Sequence, residues 1–292
     1  MDDAKPRRDH ELTTAEVVQY RREGWLLLRG LLDPAHVADC LAALQHIADG
    51  TRPLATSKAL LEPEVRAGRA QADAAIDRVR KFIDFIEEFP ALHRAAMKRR
   101  LHDALDRILG EGRVMFQDMA LVKPPRIGSE KRWHQDAAYF RVSDPGLIVG
   151  VWIALDRATR ENGCMQLVPG SHLAGPAPHV PMLDVNECHI RPDLVHADQR
   201  IAIEMEPGDA LVFHACLHHF TAPNTSGLRR RAAQFHYHQL GLEWGDLGMH
   251  QRLYRDERGA YCGCTVQPGP VPPGEEFHYR GGTRIIPVVP VD

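Results

Sequence analysis

The sequence predicts a mainly β fold with flanking α-helices, built on an antiparallel sandwich or barrel. Two observations carry this. From Arg113 onward, seven short β-like runs follow one another in about 125 residues: VMFQDMALV, WHQDAAYF, LIVGVWIAL, CMQLVPG, IAIEMEPGD, ALVFHACLHHF and RAAQFHYH. Pro, Gly, Asn and Asp separate them, and no helical pattern lies between them. Before Arg113 the apolar spacing is helical, with helix-start signals ahead of it.

In chain order, Thr13-Thr-Ala-Glu16 is a capping box that opens a short helix, and Gly24 can close it. WLLLRGLL then reads as a buried strand. Asp33-Pro34 supplies an N-cap and a first helical residue, and Val37, Cys40, Leu41, Leu44 and Ile47 recur at helical spacing behind it. Residues 51–80 are polar and weakly patterned, which predicts a loop or loose helix. Residues 82–109 carry two helical patterns, Phe82-Ile86-Phe89 and Leu92-Met97-Leu101-Leu105-Leu109, closed by Gly110. The tail after Gly241 is rich in Gly and Pro and reads as irregular. With no internal repeat and no linker, we expect one domain over residues 1–292. It divides into helical support over about 12–110, a β core over about 112–240 and an irregular extension over 241–292.

Composition narrows the function. The chain of 292 residues is 44% hydrophobic and 26% charged, with a net charge of −3, and no basic block suggests nucleic acid or an anionic membrane. No apolar run approaches a membrane span, and the start MDDAKPRRDH lacks a signal-peptide apolar region. Six cysteines without regular spacing predict no disulfide framework, and Cys262-Gly-Cys264 is too close for ordinary bridging. A reduced, cytoplasmic protein is expected. Seventeen histidines are many, so chance pairs occur: His134 and Asp136 form one His-x-Asp, His196 and Asp198 another.

On a strand, residues i and i+2 share a face, so His134 and Asp136 would project together. Two residues cannot hold a catalytic metal. Non-haem Fe(II) oxygenases use two histidines and one carboxylate and leave coordination positions open. ALVFHACLHHFTAPN offers His214, His218 and His219 as the distant histidine. Across the PNTSG turn, Arg230 lies eleven residues after His219, where a buried guanidinium could fork onto a co-substrate carboxylate. Arg230, Ala232, Gln234 and His236 would then share a face, with Arg231, Phe235 and Tyr237 on the other. His236 and Gln234 could line the barrel interior. Lys123, Arg126, Lys131 and Arg132 read as a solvated basic loop.

WHQDAAYF, ENGCMQLVPGSH, PGDALVFH and the His219-to-Arg230 spacing together resemble the phytanoyl-CoA dioxygenase family. YRREGWLLLRGLLDPAHV and MFQDMALVKPP resemble its opening helix and strand and its run before the His-x-Asp. The similarity covers roughly residues 12–240. It implies a double-stranded β-helix (jelly roll, cupin-like) and an Fe(II)/2-oxoglutarate-dependent dioxygenase. Such an enzyme hydroxylates an unactivated C–H bond of a small-molecule substrate and releases succinate and CO2. By position it implies His134, Asp136 and His219 as catalytic iron ligands. Arg230 would hold the distal carboxylate of 2-oxoglutarate, with Thr221, Gln117 and Trp152 in the co-substrate pocket and O2 as the other reactant. It also sets His196-Ala-Asp198 aside.

Rival readings are a halogenase, which needs a small residue where Asp136 stands, a divalent-metal hydrolase, and an inactive jelly-roll binding protein. The divergent segment 173–200, long for a connection, reads as a mobile rim or lid over the site. The sequence names neither the primary substrate nor an oligomeric state.

Overall fold

A computed structural model describes residues 12–51, 53–182, 187–264 and 285–292. Helix α1 (Thr14–Glu23) starts at a complete capping box, with the Thr13 hydroxyl on the Glu16 amide and the Glu16 carboxylate on the Thr13 amide. It ends on Gly24, whose φ of 82° lies in the left-handed region that favours glycine. Strand β1 (Trp25–Leu28) follows directly, then α2 (Pro34–Asp49), capped by Asp33.

The stretch expected as loop or loose helix contains strand β2 (Lys58–Leu61), the single turn α3 (Pro63–Arg66) and the start of β3 (Val79–Ile83). The expected Phe82-Ile86-Phe89 helix is therefore absent. Its apolar residues alternate instead, with Phe82 buried under the helices and Ile83 on the opposite face. Asp118, 1% exposed, turns the chain here by accepting from the amides of Phe85 and Ile86 at 2.7 and 2.9 Å. Helices α4 (Pro90–Ala96) and α5 (Arg99–Leu109) match the second expected pattern.

The β region then runs β4 (Arg113–Lys123), β5 (Lys131–His134), β6 (Ile148–Ala154), β7 (Met165–Leu167), β8 (His179–Met182), β9 (Glu187–Ile190), β10 (Ile201–Ile203), β11 (Ala210–His214), β12 (His219–Thr221) and β13 (Arg230–Gln239). Seven strands form one sheet in the order β1-β11-β6-β13-β4-β3-β2, and four form a facing sheet, β10-β7-β12-β5. Every pairing is antiparallel. The two sheets are the layers of a jelly roll. Three of the seven strands come from the region expected as helical support.

The outer face of the large sheet (Val149, Val151, Ile153, Phe235, Tyr237) packs on the helices through Leu44, Leu92, Leu101 and Leu105. The gap between the sheets is filled at one end by Trp152, Met165, Leu167, Leu211 and Phe213. The other end holds Phe116, Phe140, Ile148 and Leu242. Gly150 makes room here: a Cβ would meet the Phe213 ring at 2.4 Å.

The segment expected as a lid is a hairpin, β8 paired with β9, flanked by 3-10 turns; its tip, residues 183–186, lies outside the described residues. The extension after Gly241 is not wholly irregular. Helix α6 (Leu247–Leu253) and the chain to Cys264 pack against the hairpin, with the His179 amide on the Cys262 carbonyl and Arg191 on Glu257. Residues 265–284 lie outside the described part. Cys188 and Cys264 are disulfide-linked, with Cα atoms 5.6 Å apart, which corrects the expectation of unpaired cysteines. Regular spacing was the wrong signal, because the fold pairs two residues 76 positions apart. No helix among the described residues is long and apolar enough to cross a membrane.

Candidate active site

Strand β5 carries one extra residue. Lys131 pairs with Thr221 and His134 with His219, so two residues of β5, Arg132 and Trp133, face one of β12, Phe220. This bulge turns Lys131 and His134 to the same inner face. The strand ends at His134, and Asp136 opens a 3-10 turn, Asp136–Tyr139. The expected i, i+2 alternation on one strand is thus replaced by a strand end and a turn. The outcome is still convergent, because the turn swings Asp136 back beneath His134.

His134, Asp136 and His219 are all buried, and one ligand atom of each lies within 4.8 Å of the others. Asp136 Oδ1 is 3.4 Å from His134 Nε2 and 3.5 Å from His219 Nε2. Each imidazole binds a backbone carbonyl through Nδ1, His134 to Arg132 at 2.8 Å and His219 to Leu217 at 2.9 Å. Nδ1 therefore carries the proton, and both Nε2 lone pairs face the common point. Burial, followed by the neighbouring His219, pushes the His134 pKa down to about 3, so its ring is neutral. Burial would raise the Asp136 carboxyl, but His219 and hydrogen bonds from His134, His219 and His236 bring it well below the usual range. Two imidazoles and one carboxylate on one side of a point are a donor set for a divalent metal with open positions.

On the facing wall, Arg230 is 2% exposed. Its Nη1 donates to the Leu121 carbonyl at 3.2 Å, and its Nε has no partner among the described residues. Its guanidinium lies 5.4 Å from the Trp152 ring centroid, and Trp152 Nε1 is also buried without a partner. Burial lowers the arginine pKa to about 10, with Asp156 opposing. Unsatisfied buried donors are costly. Two side by side, one of them cationic, fit an anionic acceptor such as a carboxylate. Arg229 and Arg231 are each spent on a carboxylate, of Asp77 and Asp156 respectively.

A family model described as phytanoyl-CoA dioxygenase (PhyH) matches residues 20–232, most of the chain. The chain belongs to the phytanoyl-CoA dioxygenase family. It is accordingly an Fe(II)- and 2-oxoglutarate-dependent oxygenase. A probable phytanoyl-CoA dioxygenase of Caenorhabditis elegans is 27% identical over 228 residues, covering 75% of this chain and 72% of that protein. The human peroxisomal phytanoyl-CoA dioxygenase is 26% identical over 244 residues, covering 81% and 71%. Among solved structures, EctD from S. alaskensis with 2-oxoglutarate and 5-hydroxyectoine superposes with a TM-score of 0.66 at 18% identity, covering 92% of each chain. At that identity the likeness shows the fold.

Within this family frame the remaining expected residues fall as follows. Thr221 on β12 is 7% exposed and pairs with Met165 and Lys131. Gln117 on β4 stands opposite His236, and residues directly opposite share a face, so it lines the interior from the large sheet. His214 and His218 lie outside the ligand cluster, and the His196-Ala-Asp198 pair sits on a 3-10 turn away from it.

The expected solvated basic loop is corrected in part. Lys123 is 3% exposed with its ammonium on the Ser129 and Thr221 carbonyls, and Lys131 bonds Glu187 at 3.0 Å and Tyr139 at 2.8 Å. Sequence reasoning missed Lys81. The register Lys81–Leu121–Ala232 places it on the Arg230 face, and burial and Lys131 lower its pKa to about 8. It was missed because VRKFI was read outside any strand.

Proposed function

We propose that the protein hydroxylates an unactivated C–H bond of a small organic substrate, with 2-oxoglutarate as co-substrate. His134, Asp136 and His219 would hold the iron, through Nε2, Oδ1 and Nε2. Bound there with 2-oxoglutarate and O2, iron supplies oxidative decarboxylation to succinate and CO2 and an oxidant strong enough for such a bond. The chain's own residues do the rest. Arg230 and the Trp152 indole N–H receive the far carboxylate of 2-oxoglutarate, with Thr221 beside them on the facing sheet and Lys81 adding positive charge on the same wall. Gln117 and Met119 line the interior on the substrate's side. The apolar walls of Phe116, Phe140 and Phe213 exclude water.

The observation that supports this reading most directly is the pairing of two features across one interior. One is a three-donor cluster of two imidazoles and a carboxylate; the other is a pair of buried, unsatisfied donors from Arg230 and Trp152. A hydrolytic metal site has no use for the second. Solved neighbours add context for the substrate class: the epimerase SnoN was crystallised with Fe3+, α-ketoglutarate and nogalamycin RO.

The test is to load the protein anaerobically with Fe(II) and 2-oxoglutarate, admit oxygen, and measure succinate against a broad panel of candidate substrates. Substrate-stimulated succinate that needs oxygen and 2-oxoglutarate, with a hydroxylated product by mass spectrometry, is expected. Desaturated or cyclised product would retain the class and overturn the hydroxylation. No succinate from any metal-loaded sample, with turnover by zinc-loaded protein instead, would overturn both.

A further inference from the structure

The two oxygens of Asp136 are treated differently. Oδ1 faces His134 and His219. Oδ2 points away from them and receives His236 Nε2 at 2.9 Å and Gln234 Nε2 at 3.1 Å. His236 and Gln234 are 1% and 4% exposed, two positions apart on β13, on the same inward face as Arg230. We infer that His236 and Gln234 are positioning residues that hold Asp136 monodentate, so that only Oδ1 is offered to the metal. The inference rests on the metal-ligand reading above.

The tautomer of His236 follows from its surroundings. Its Nδ1 is buried with no partner among the described residues. A proton there would be an orphaned buried donor and would leave an Nε2 lone pair facing the carboxylate. With the proton on Nε2, the ring donates to Oδ2, and the unpaired atom is an acceptor, the less costly arrangement. The consequence is coordinative. A carboxylate free to bind through both oxygens fills a position that a chelating 2-keto acid and dioxygen would otherwise use. Fixing its second oxygen with two N–H donors keeps that position available. It also links the ligand to the strand that carries the co-substrate arginine.

The ring of His236 stands among aromatic side chains, with centroids 5.2 Å from Phe140, 5.9 Å from Phe116 and 6.5 Å from Phe213. This lets experiment separate positioning from packing, because the two give opposite orders. His236→Phe suits the aromatic wall and loses the donor. His236→Gln spoils the wall, but places an amide N–H the same number of bonds from Cβ as Nε2. Positioning predicts that His236→Phe weakens metal binding roughly 10- to 100-fold, the range typical of lost outer-shell partners, while His236→Gln recovers most of it. Packing alone predicts the reverse.

The readouts are anaerobic Fe(II) titration and the visible charge-transfer band that Fe(II) gives with 2-oxoglutarate. In His236→Phe the band should shift and need more 2-oxoglutarate to saturate. Gln234→Leu removes the second donor without touching the aromatic wall and should weaken metal binding several-fold. Wild-type titrations and band in His236→Phe, or equal loss in the Phe and Gln variants with folding intact by circular dichroism, would overturn the inference. Asp136→Ala separates the layers. If it binds Fe(II) like wild type, the metal-site reading itself fails; if it loses the metal while His236→Phe keeps it, only the positioning role fails.

Discussion

Three consecutive arginines meet three different fates, and strand parity decides them. Arg229 and Arg231 point away from the interior onto Asp77 and Asp156, while Arg230 points inward with no carboxylate partner among the described residues. A bidentate arginine–carboxylate contact in a dry pocket is worth on the order of 1.5–3 kcal/mol. Arg230→Ala should therefore raise the 2-oxoglutarate concentration for half-maximal succinate formation roughly 10- to 100-fold. Arg230→Lys should recover part of this, since it keeps charge but loses the fork. Arg229→Ala and Arg231→Ala should leave that constant within about twofold. A wild-type dependence in Arg230→Ala would remove Arg230 from the co-substrate site.

Lys81 adds a pH signature. Its ammonium is depressed to about 8 by burial and Lys131, with Arg80 acting the same way and Glu187 and Asp136 opposing. The charged form attracts the dianion, so 2-oxoglutarate affinity should be full below pH about 8 and fall as pH rises through it. Lys81→Arg should move that fall to higher pH, and an unshifted profile would exclude Lys81 as its source. At this scale the sequence pointed to His134, Asp136, His219 and Arg230, because residue type and spacing single them out. It could not show which Asp136 oxygen is held, nor by what, since that depends on a turn and on another strand.

Among the elements, β3 is the least legible and the most dependent on one side chain. Its residues mix charge with apolar groups, and only the short edge strand β2 covers its outer side, which blurs the alternation that marks a buried strand. What fixes its exit is Asp118, from the neighbouring β4. Asp118→Ala would strand two buried amides, each costing about 1–3 kcal/mol. We expect a loss of about 3 kcal/mol by denaturant unfolding, together with weaker 2-oxoglutarate binding, because Lys81 rides on β3. Asp118→Ala with wild-type stability would show that the turn holds without it.

Strands β4, β6, β11 and β13 were readable from the sequence, because their apolar runs are long and buried. The β5 bulge was not, because a one-residue insertion leaves no mark until the partner strand is known. Helix α1 was readable to its caps, since Thr13, Glu16 and Gly24 form them through local contacts. The β8–β9 hairpin escaped notice because its anchors, His179 to Cys262 and Arg191 to Glu257, come from more than sixty residues away.

For the whole molecule, strands β1, β2 and β3 make the N-terminal region part of the large sheet, so we propose that the chain unfolds as one unit. Circular dichroism and tryptophan fluorescence should give coincident transitions, and separated midpoints would divide it. The covalent link between Cys188 and Cys264 bears on the same experiment. Viewed as a polymer, the chain is a line bearing one closed ring of about 76 residues. Closing such a ring removes roughly 4–5 kcal/mol worth of disorder from the unfolded ensemble in the chain-entropy picture. A reducing agent should therefore lower the melting temperature by about 10 °C, and Cys264→Ser should reproduce the drop and be insensitive to reductant. The ring also partitions the site: His219 and Arg230 lie inside it, whereas His134 and Asp136 lie outside. Heat alone can pull those two halves apart but cannot straighten the half that holds Arg230, so the ambient thiol potential sets how far a denatured copy strays before it refolds.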